Sequence, residues 1–338
     1  MRGANWAANK LPVKIAVKNF PPVFALLAVA AWHGPCAAQP AYPQKPIRII
    51  SPFAAGGGND AFLRTLAPKL TENLKQQIII DTRAGANGIV GTELAARAAP
   101  DGYTLILIPT NHTVNASLYA KLPYDSIKDF TPVSLAGSSP LVVAVHPSLP
   151  VKNIKELIAF AKARPAQITY GSAGVGSSGH LAGVLFDSLT GTSLTHIPYK
   201  GMSLAITDLI GGQVSTTFGT SLSVVPHVRS GRLRALATTG ATRMIALPDS
   251  PTVAELGVQG YEAGLWYGFV GPARIPADIV KRLNTEIVAV LALPDIRERL
   301  LGQGVEARPT TPEAFARLIA SDIARWAVVV KRAGLRAE

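Results

Sequence analysis

From Tyr42 onward the sequence alternates short β-branched runs with longer segments of helical period, and this alternation restricts the fold more than any other feature. A chain written this way builds α/β units in which strands feed crossover helices. The spacing predicts strands at Ile47–Ser51, Gln77–Asp81, Tyr103–Ile108, Leu141–His146, Ile168–Tyr170, Leu194–Ile197, Gln213–Phe218 and Leu233–Thr238. Helices are expected at Asp60–Asn73, Ile89–Ala98, Ile154–Ala163, Ser178–Leu189, Ser203–Ile210, Val224–Ser230, Ala277–Leu293, Pro294–Gln303 and Pro312–Ala333. Asn153 before Ile154, Pro276 at a first turn and Thr311-Pro312 are ordinary helix starts. No period of about 20–50 residues recurs, which disfavours solenoids and propellers.

Two stretches, 130–147 and 259–276, read as long, extended and punctuated by Gly and Pro. They bracket a central block with its own strands and helices. A chain that leaves one lobe, builds a second and returns would have this form. The expected division is 39–140 for the first part of lobe 1, 141–262 for lobe 2 and 263–338 for the return to lobe 1. In open α/β sheets ligands lie beyond the carboxyl ends of strands, so a cleft between such lobes would be walled by strand-to-helix loops.

Residues 1–38 precede this pattern and read differently. Arg2, Lys10, Lys14 and Lys18 come without an acid, then the apolar run Val23–Trp32, then Gly34-Pro35-Cys36-Ala37-Ala38. This is the order of a secretory signal peptide cleaved after Ala38. The apolar run falls well short of the ~20 residues that span a bilayer. Lipidation at Cys36 is the alternative, and Pro35 fits it poorly. Setting the leader aside reduces the net charge from +12 to 33 − 4 − 21 = +8. The remaining basic residues are scattered; Arg229–Arg234 and Lys281-Arg282 are the densest patches, and neither interleaves with aromatics, which argues against nucleic acid. With Cys36 as the one cysteine, disulfide frameworks and four-Cys zinc ribbons are excluded.

The residues with chemical promise lie in loops. Ser51-Pro-Phe-Ala-Ala-Gly-Gly-Gly-Asn-Asp60 follows the first strand, and its three glycines let backbone N–H groups approach a ligand beside a helix N-terminus. No Gly-Lys-Ser/Thr follows, so a nucleoside triphosphate is disfavoured. A plain turn with an Asn-Asp helix cap is the other reading of this loop. Gly171-Ser-Ala-Gly-Val-Gly-Ser-Ser-Gly-His180 also follows a strand and opens a helix. It contains Gly-x-Gly-x-x-Gly, yet the next strand ends in His196-Ile-Pro-Tyr-Lys200 without the acid that holds a ribose, so no nicotinamide cofactor is expected. Its hydroxyls at Ser172, Ser177 and Ser178 and its bare N–H groups suit a carboxylate. Tyr199-Lys200-Gly201 and Trp266-Tyr267 are each open to two readings, ligand contact or packing.

Catalytic patterns are missing from the sequence. Gly-x-Ser-x-Gly does not occur, and the histidines form no i, i+4 pair for a zinc helix. Asp60, His180 and Ser177 are conceivable as a dispersed triad, which would make the chain an exported α/β enzyme. The reading preferred is no enzyme, no cofactor and no metal.

Four motifs in order carry a resemblance: Pro52–Asp60 with Arg64, Arg83–Gly88 with Pro100–Tyr103, Gly171–Gly174, and Tyr199–Gly201. Together with the leader they resemble the Bug family, the TctC-like periplasmic solute-binding proteins of tripartite tricarboxylate transport systems, across the chain from about Tyr42 onward. The resemblance implies a two-lobed, type II-like periplasmic-binding-protein fold, each lobe a mixed sheet flanked by helices, closing over a small organic acid. It implies Phe53, Ala54, Gly57, Gly58 and Asp60 from one lobe and Ser172, Ala173, Ser177 and Ser178 from the other as carboxylate contacts, with Tyr199, Thr217 and Thr220 toward the rest of the ligand. Ala55 stands where members often have Pro. Ser215 and Gly219 stand where an Asp is common, which favours a carboxylate without an amino group. The implied partners are TctA/TctB-like membrane subunits or, alternatively, a sensor receptor, with the protein itself a periplasmic monomer.

Overall fold

The computed structural model describes residues 42–332 and 334–336. The leader and Cys36 lie outside the described residues. The first units follow the expected order: β1 (Ile47–Ser51), α1 (Gly58–Leu74), β2 (Ile78–Thr82), a short 3-10 turn at Ala86–Gly88, α2 (Ile89–Ala96) and β3 (Thr104–Pro109). Strand β1 pairs in parallel with β2 and β3, Ile49 lying opposite Ile80 and Leu105. Helix α1 covers this sheet through Phe62, Leu63, Leu66, Leu70 and Leu74, all buried, the apolar stripe of a 3.6-residue period. Leu105–Ile108 are buried without alternation because both faces of β3 are covered.

Helix α3 (Asn111–Leu118) comes next and is absent from the sequence expectation. Its first turns are polar and buried: Asn111, His112, Thr113 and Asn115 are each at most 4% exposed. Such a helix has no apolar stripe for a periodicity reading to find. It packs beneath the long C-terminal helix α10 (Pro312–Arg332), and Thr113 Oγ1 donates to Asp322 Oδ2 at 3.1 Å.

The two stretches read as extended contain long strands at the centre of the sheet, of which the sequence pattern predicts Leu141–His146 alone as a strand. They are β4 (Phe130–Val145, 16 residues) and β9 (Gly264–Pro272), and they pair antiparallel from Phe130 opposite Pro272 to Pro140 opposite Gly264. From Leu141 onward β4 changes partners, pairing with β7 (Thr216–Thr220) on one side and β8 (Arg234–Thr238) on the other. Between these come α4 (Ile154–Ala163), β5 (Thr169–Ser172), α5 (Ser178–Thr190), β6 (Thr195–Pro198), α6 (Met202–Ile210) and α7 (Ser221–Arg229). The chain closes with α8 (Ala277–Ala292), α9 (Pro294–Gly302), the two-residue β10 (Glu306–Ala307) and α10.

The resulting strand order is β2-β1-β3-β9-β4-β7-β5-β6, with β10 and β8 also on β4. Strands β1, β2 and β3 are parallel at one end and β5, β6 and β7 at the other, joined through antiparallel β9 and β4. This is an α/β fold with a mixed sheet flanked by helices.

Candidate functional site

The β1–α1 loop is shaped by its acid. Gly56 takes a positive φ of 75°, and its N–H donates to Asp60 Oδ2 at 2.9 Å. The same oxygen accepts from Arg64 Nε at 2.8 Å, with Asp60 3% exposed. Asp60 therefore fastens the loop onto the first turn of α1 through Oδ2, while its Oδ1 is buried without a partner. Gly58 sits where no Cβ fits: one would stand 2.6 Å from Tyr267 Oη and 2.9 Å from Thr220 Oγ1. Ala54 packs against Gly201, whose added Cβ would meet the Ala54 nitrogen at 3.0 Å.

The β5–α5 loop is held by hydroxyls and imidazoles. Ser172 Oγ accepts from the Gly174 N–H at 3.1 Å and lies 2.6 Å from His196 Nε2. Ser177 caps α5 by accepting from the His180 N–H, and His180 Nδ1 accepts from the Gly176 N–H at 3.0 Å. The rings of His180 and His196 stack with centroids 4.1 Å apart. Burial pushes His180 down to about 4; burial, and then the neighbouring His180, push His196 down to about 3. Both are neutral at neutral pH, which the acceptor role of His180 Nδ1 requires.

The two loops face each other across a cleft lined by residues of both. From the first come Phe53, Gly57, Gly58 and Asn59, and from the second Ala173, Ser177, Ser178 and Gly179. Asn111 and Thr220 complete the polar rim with Met202 beside them, and Pro109, Leu265 and Tyr267 form the back wall. Pro109 and Tyr267 are register partners in the β3–β9 ladder, which explains how a mid-strand tyrosine reaches the site. The cavity they enclose has a volume of only about 40 Å³.

Five helix N-termini open on this cleft: α1 at Gly57–Asn59, α3 at Asn111, α5 at Ser177–Gly179, α6 at Met202 and α7 at Thr220. The first turn of a helix leaves its N–H groups without intrahelical partners and carries a partial positive charge. Each contributes about 1 kcal/mol toward an anion, up to about 2 when partly buried. No charged side chain lines the cleft. What it offers is an anion site made of peptide dipoles and neutral donors.

Of the twelve residues singled out from the sequence, Phe53, Gly57, Gly58, Ala173, Ser177, Ser178 and Thr220 line the cleft. Ala54, Asp60, Ser172, Tyr199 and Thr217 stand behind it. Tyr199 Oη donates to Asp208 Oδ2 at 2.6 Å, and Thr217 Oγ1 donates to the Gly171 carbonyl at 2.8 Å. These groups hold the loops.

Asn111 and Tyr267 also line the cleft, beyond the twelve. Asn111 Nδ2 donates to the Asn87 carbonyl at 2.8 Å, and Asn87 Nδ2 donates to Asn115 Oδ1 at 2.8 Å. The Arg83–Gly88 motif thus supports the cleft from below. Tyr267 is 1% exposed, stacks on Phe62 and has no hydrogen-bond partner for its hydroxyl. Burial raises the pKa of this hydroxyl, so it remains a neutral donor.

A mixed-sheet α/β scaffold that turns its helix N-termini into a cleft without charged side chains defines a solute-binding protein for a small anion. The sequence model of the tripartite tricarboxylate transporter family receptor (TctC) matches residues 62–335, and the chain belongs to that family. It is 37% identical over 312 residues to Protein BugT of Bordetella pertussis, covering 92% of this chain and 95% of that one. The structure of the periplasmic binding protein BugD superposes with a TM-score of 0.85 at 33% identity, covering 88% of this chain and all of that one. An R. palustris protein solved with adipate gives a TM-score of 0.85 at 35% identity, covering 88% and 99%. The protein is accordingly a periplasmic, non-catalytic solute-binding protein of the Bug/TctC type, which binds a small carboxylate and works with a tripartite tricarboxylate-type membrane transporter.

Proposed function

We propose that the cleft holds a small dicarboxylate without an amino group, one carboxylate seated between the β1–α1 and β5–α5 loops. Phe53, Gly57, Gly58, Ala173, Ser177 and Ser178 surround that carboxylate, while Ala54, Asp60 and Ser172 hold its loops in place. Tyr267 and Thr220 meet the rest of the ligand, and Tyr199 and Thr217 support the wall behind it. The observation that carries this reading is the convergence of five helix N-termini on a space with no charged side chain. At about 0.3–1 kcal/mol each, and up to about 2 when partly buried, they supply roughly 1.5–10 kcal/mol before ordering and desolvation costs, so the hydroxyl and amide donors of the cleft must add to them for micromolar binding. Adipate, found in a relative, fits the absence of an acid facing the cleft, since an amino group would have no partner there.

On this reading the chain has two lobes, 39–140 with 263–338, and 141–262, and they part about the point where β4 exchanges β9 for β7 and β8, between Pro140 and Leu141. The loaded protein delivers its ligand to TctA/TctB-like subunits. The test is a thermal-shift screen of di- and tricarboxylates from three to eight carbons, followed by calorimetry. A true ligand at a hundredfold excess over its dissociation constant stabilises by about 2.7 kcal/mol. Ser178→Phe, which fills the cleft from a partly exposed position, abolishes the shift with folding intact. A screen with no response, or a response that survives Ser178→Phe, refutes the reading.

A further inference from the structure

A second concavity lies beside the cleft, between α6 and α7. Helix α6 presents Ser203, Ile206, Thr207 and Ile210, an i, i+3, i+4, i+7 stripe, and α7 presents Ser223 and His227, an i, i+4 pair. Two such faces ordinarily pack flush. Here they leave an open groove with a volume of about 280 Å³, against about 40 Å³ in the cleft. Gly56 closes one end and Arg232 borders it.

The groove wall carries more hydrogen-bonding capacity than the protein uses. Ser203 Oγ and His227 Nδ1 are buried and have no partner. Thr220 Oγ1 donates to Ser223 Oγ at 2.9 Å, leaving the Ser223 proton free to donate. Arg232 bonds through Nε to Ser230 Oγ, and its terminal nitrogens have no partner among the described residues. No acid lines the groove, so its net charge is positive. Ile206 and Ile210 supply an apolar floor, which an inorganic anion would leave uncovered.

We propose that the α6–α7 groove is a second binding site, for a short aliphatic monocarboxylate. The carboxylate lies between Arg232 and the Ser223 hydroxyl, and a rotamer change of Ser203 adds a second hydroxyl. The alkyl body covers Ile206 and Ile210. The groove is joined to the cleft through three pairs of neighbours: Gly56 with Gly57, Ser203 with Met202, and Ser223 with Thr220, the first of each pair in the groove and the second in the cleft. Its occupant bridges the β1–α1 loop to α6 and α7, so it favours the closed cleft, and a cleft ligand tightens the groove by the same factor.

The test titrates the isotope-labelled full chain with butanoate and follows the His227 ring signals, assigned through His227→Gln. A saturable shift is expected. Arg232→Ala, an exposed change that leaves the cleft untouched, weakens it about tenfold or more through the loss of charge-assisted hydrogen bonds. Thr207→Trp fills the groove from an exposed position and removes the response. Both variants keep their thermal response to the dicarboxylate that the cleft screen selects. Unmoved His227 signals, or a shift that persists in Arg232→Ala, overturn the proposal. An intact His227 response in a chain that ignores every dicarboxylate supports the groove and counts against the cleft reading alone.

Discussion

Replacing Tyr267 with Phe separates ligand binding from folding, because the two effects have opposite signs. The ring stacks on Phe62 with centroids 5.0 Å apart and planes 19° apart, and Phe keeps that contact. What is lost is one hydroxyl, fully buried at the back of the cleft and without a partner in the protein. An unpaired buried hydroxyl costs about 1–3 kcal/mol, part of which a water in the 40 Å³ void returns. The empty variant should therefore unfold at the same temperature as the parent or a few degrees above it. A ligand carboxylate that accepts from this hydroxyl loses a hydrogen bond to a charged group, worth about 1.5–3 kcal/mol, so its dissociation constant rises about 10–150-fold. Calorimetry with the best dicarboxylate and thermal unfolding without it read the two quantities separately. A variant that unfolds well below the parent while binding with unchanged affinity would show that the hydroxyl serves the core, and the assignment of Tyr267 to the ligand would fall.

Three further perturbations test other parts of the site. Gly179→Ala places a Cβ 2.6 Å from the Phe218 carbonyl oxygen in β7, so α5 must shift; the loss is about 1–3 kcal/mol by denaturant unfolding, with weaker binding, and unchanged stability would refute the close approach. Ser177→Ala removes the α5 cap and should cost about 1 kcal/mol with lowered affinity, whereas Ser177→Asp, which also caps, should restore stability without restoring anion binding. Acid should destabilise through the buried histidines. Burial pushes His112 and His180 each down to about 4, below the unfolded value, so the stability they permit is complete above about pH 6.5 and is lost as pH falls toward 4. At pH 5 this is on the order of 2 kcal/mol for each, and a urea midpoint that does not move between pH 7 and pH 5 would contradict it.

The sequence was most readable where one residue type has one physical use. Ile47–Ser51 and the α1 stripe announce themselves through period, and the glycine corners at 56–58 and 174–179 through the absence of side chains where backbone must approach. The central strands were harder. Pro132 and Pro140 interrupt β4, and its ladder with β9 shifts register between Pro132 and Ser134 and again between Leu135 and Gly137, so the part before Leu141 reads as a punctuated connection although it pairs over most of its length. Helix α3 was hidden because it buries asparagine, histidine and threonine, whose hydrogen bonds to Asn87, Ser126 and Asp322 come from remote segments. Asn111 went unseen for that reason, although it follows a strand as the other two loops do. Tyr267 was ambiguous because only the order β3-β9-β4 brings it opposite Pro109 and into the cleft.

The size of the cleft bears on how a ligand enters. A cavity of about 40 Å³ accommodates a few waters and is far below the few hundred Å³ of an ordinary ligand pocket. A six-carbon diacid therefore enters only if the facing loops separate. The contacts that must break are identifiable: Ala54 against Gly201, and Gly57 beside the Met202 and Ser203 nitrogens. None of these is a salt bridge, but Leu118 of α3 packs against Val175 and Leu181 beside the β5–α5 loop, so parting the loops also exposes apolar surface that the ligand's contacts must offset. Strand β4 runs unbroken from its ladder with β9 into those with β7 and β8, changing partners at Leu141. Closing contacts that a ligand must supplement are what a receptor that must release its cargo requires, since the ligand itself then decides which form prevails.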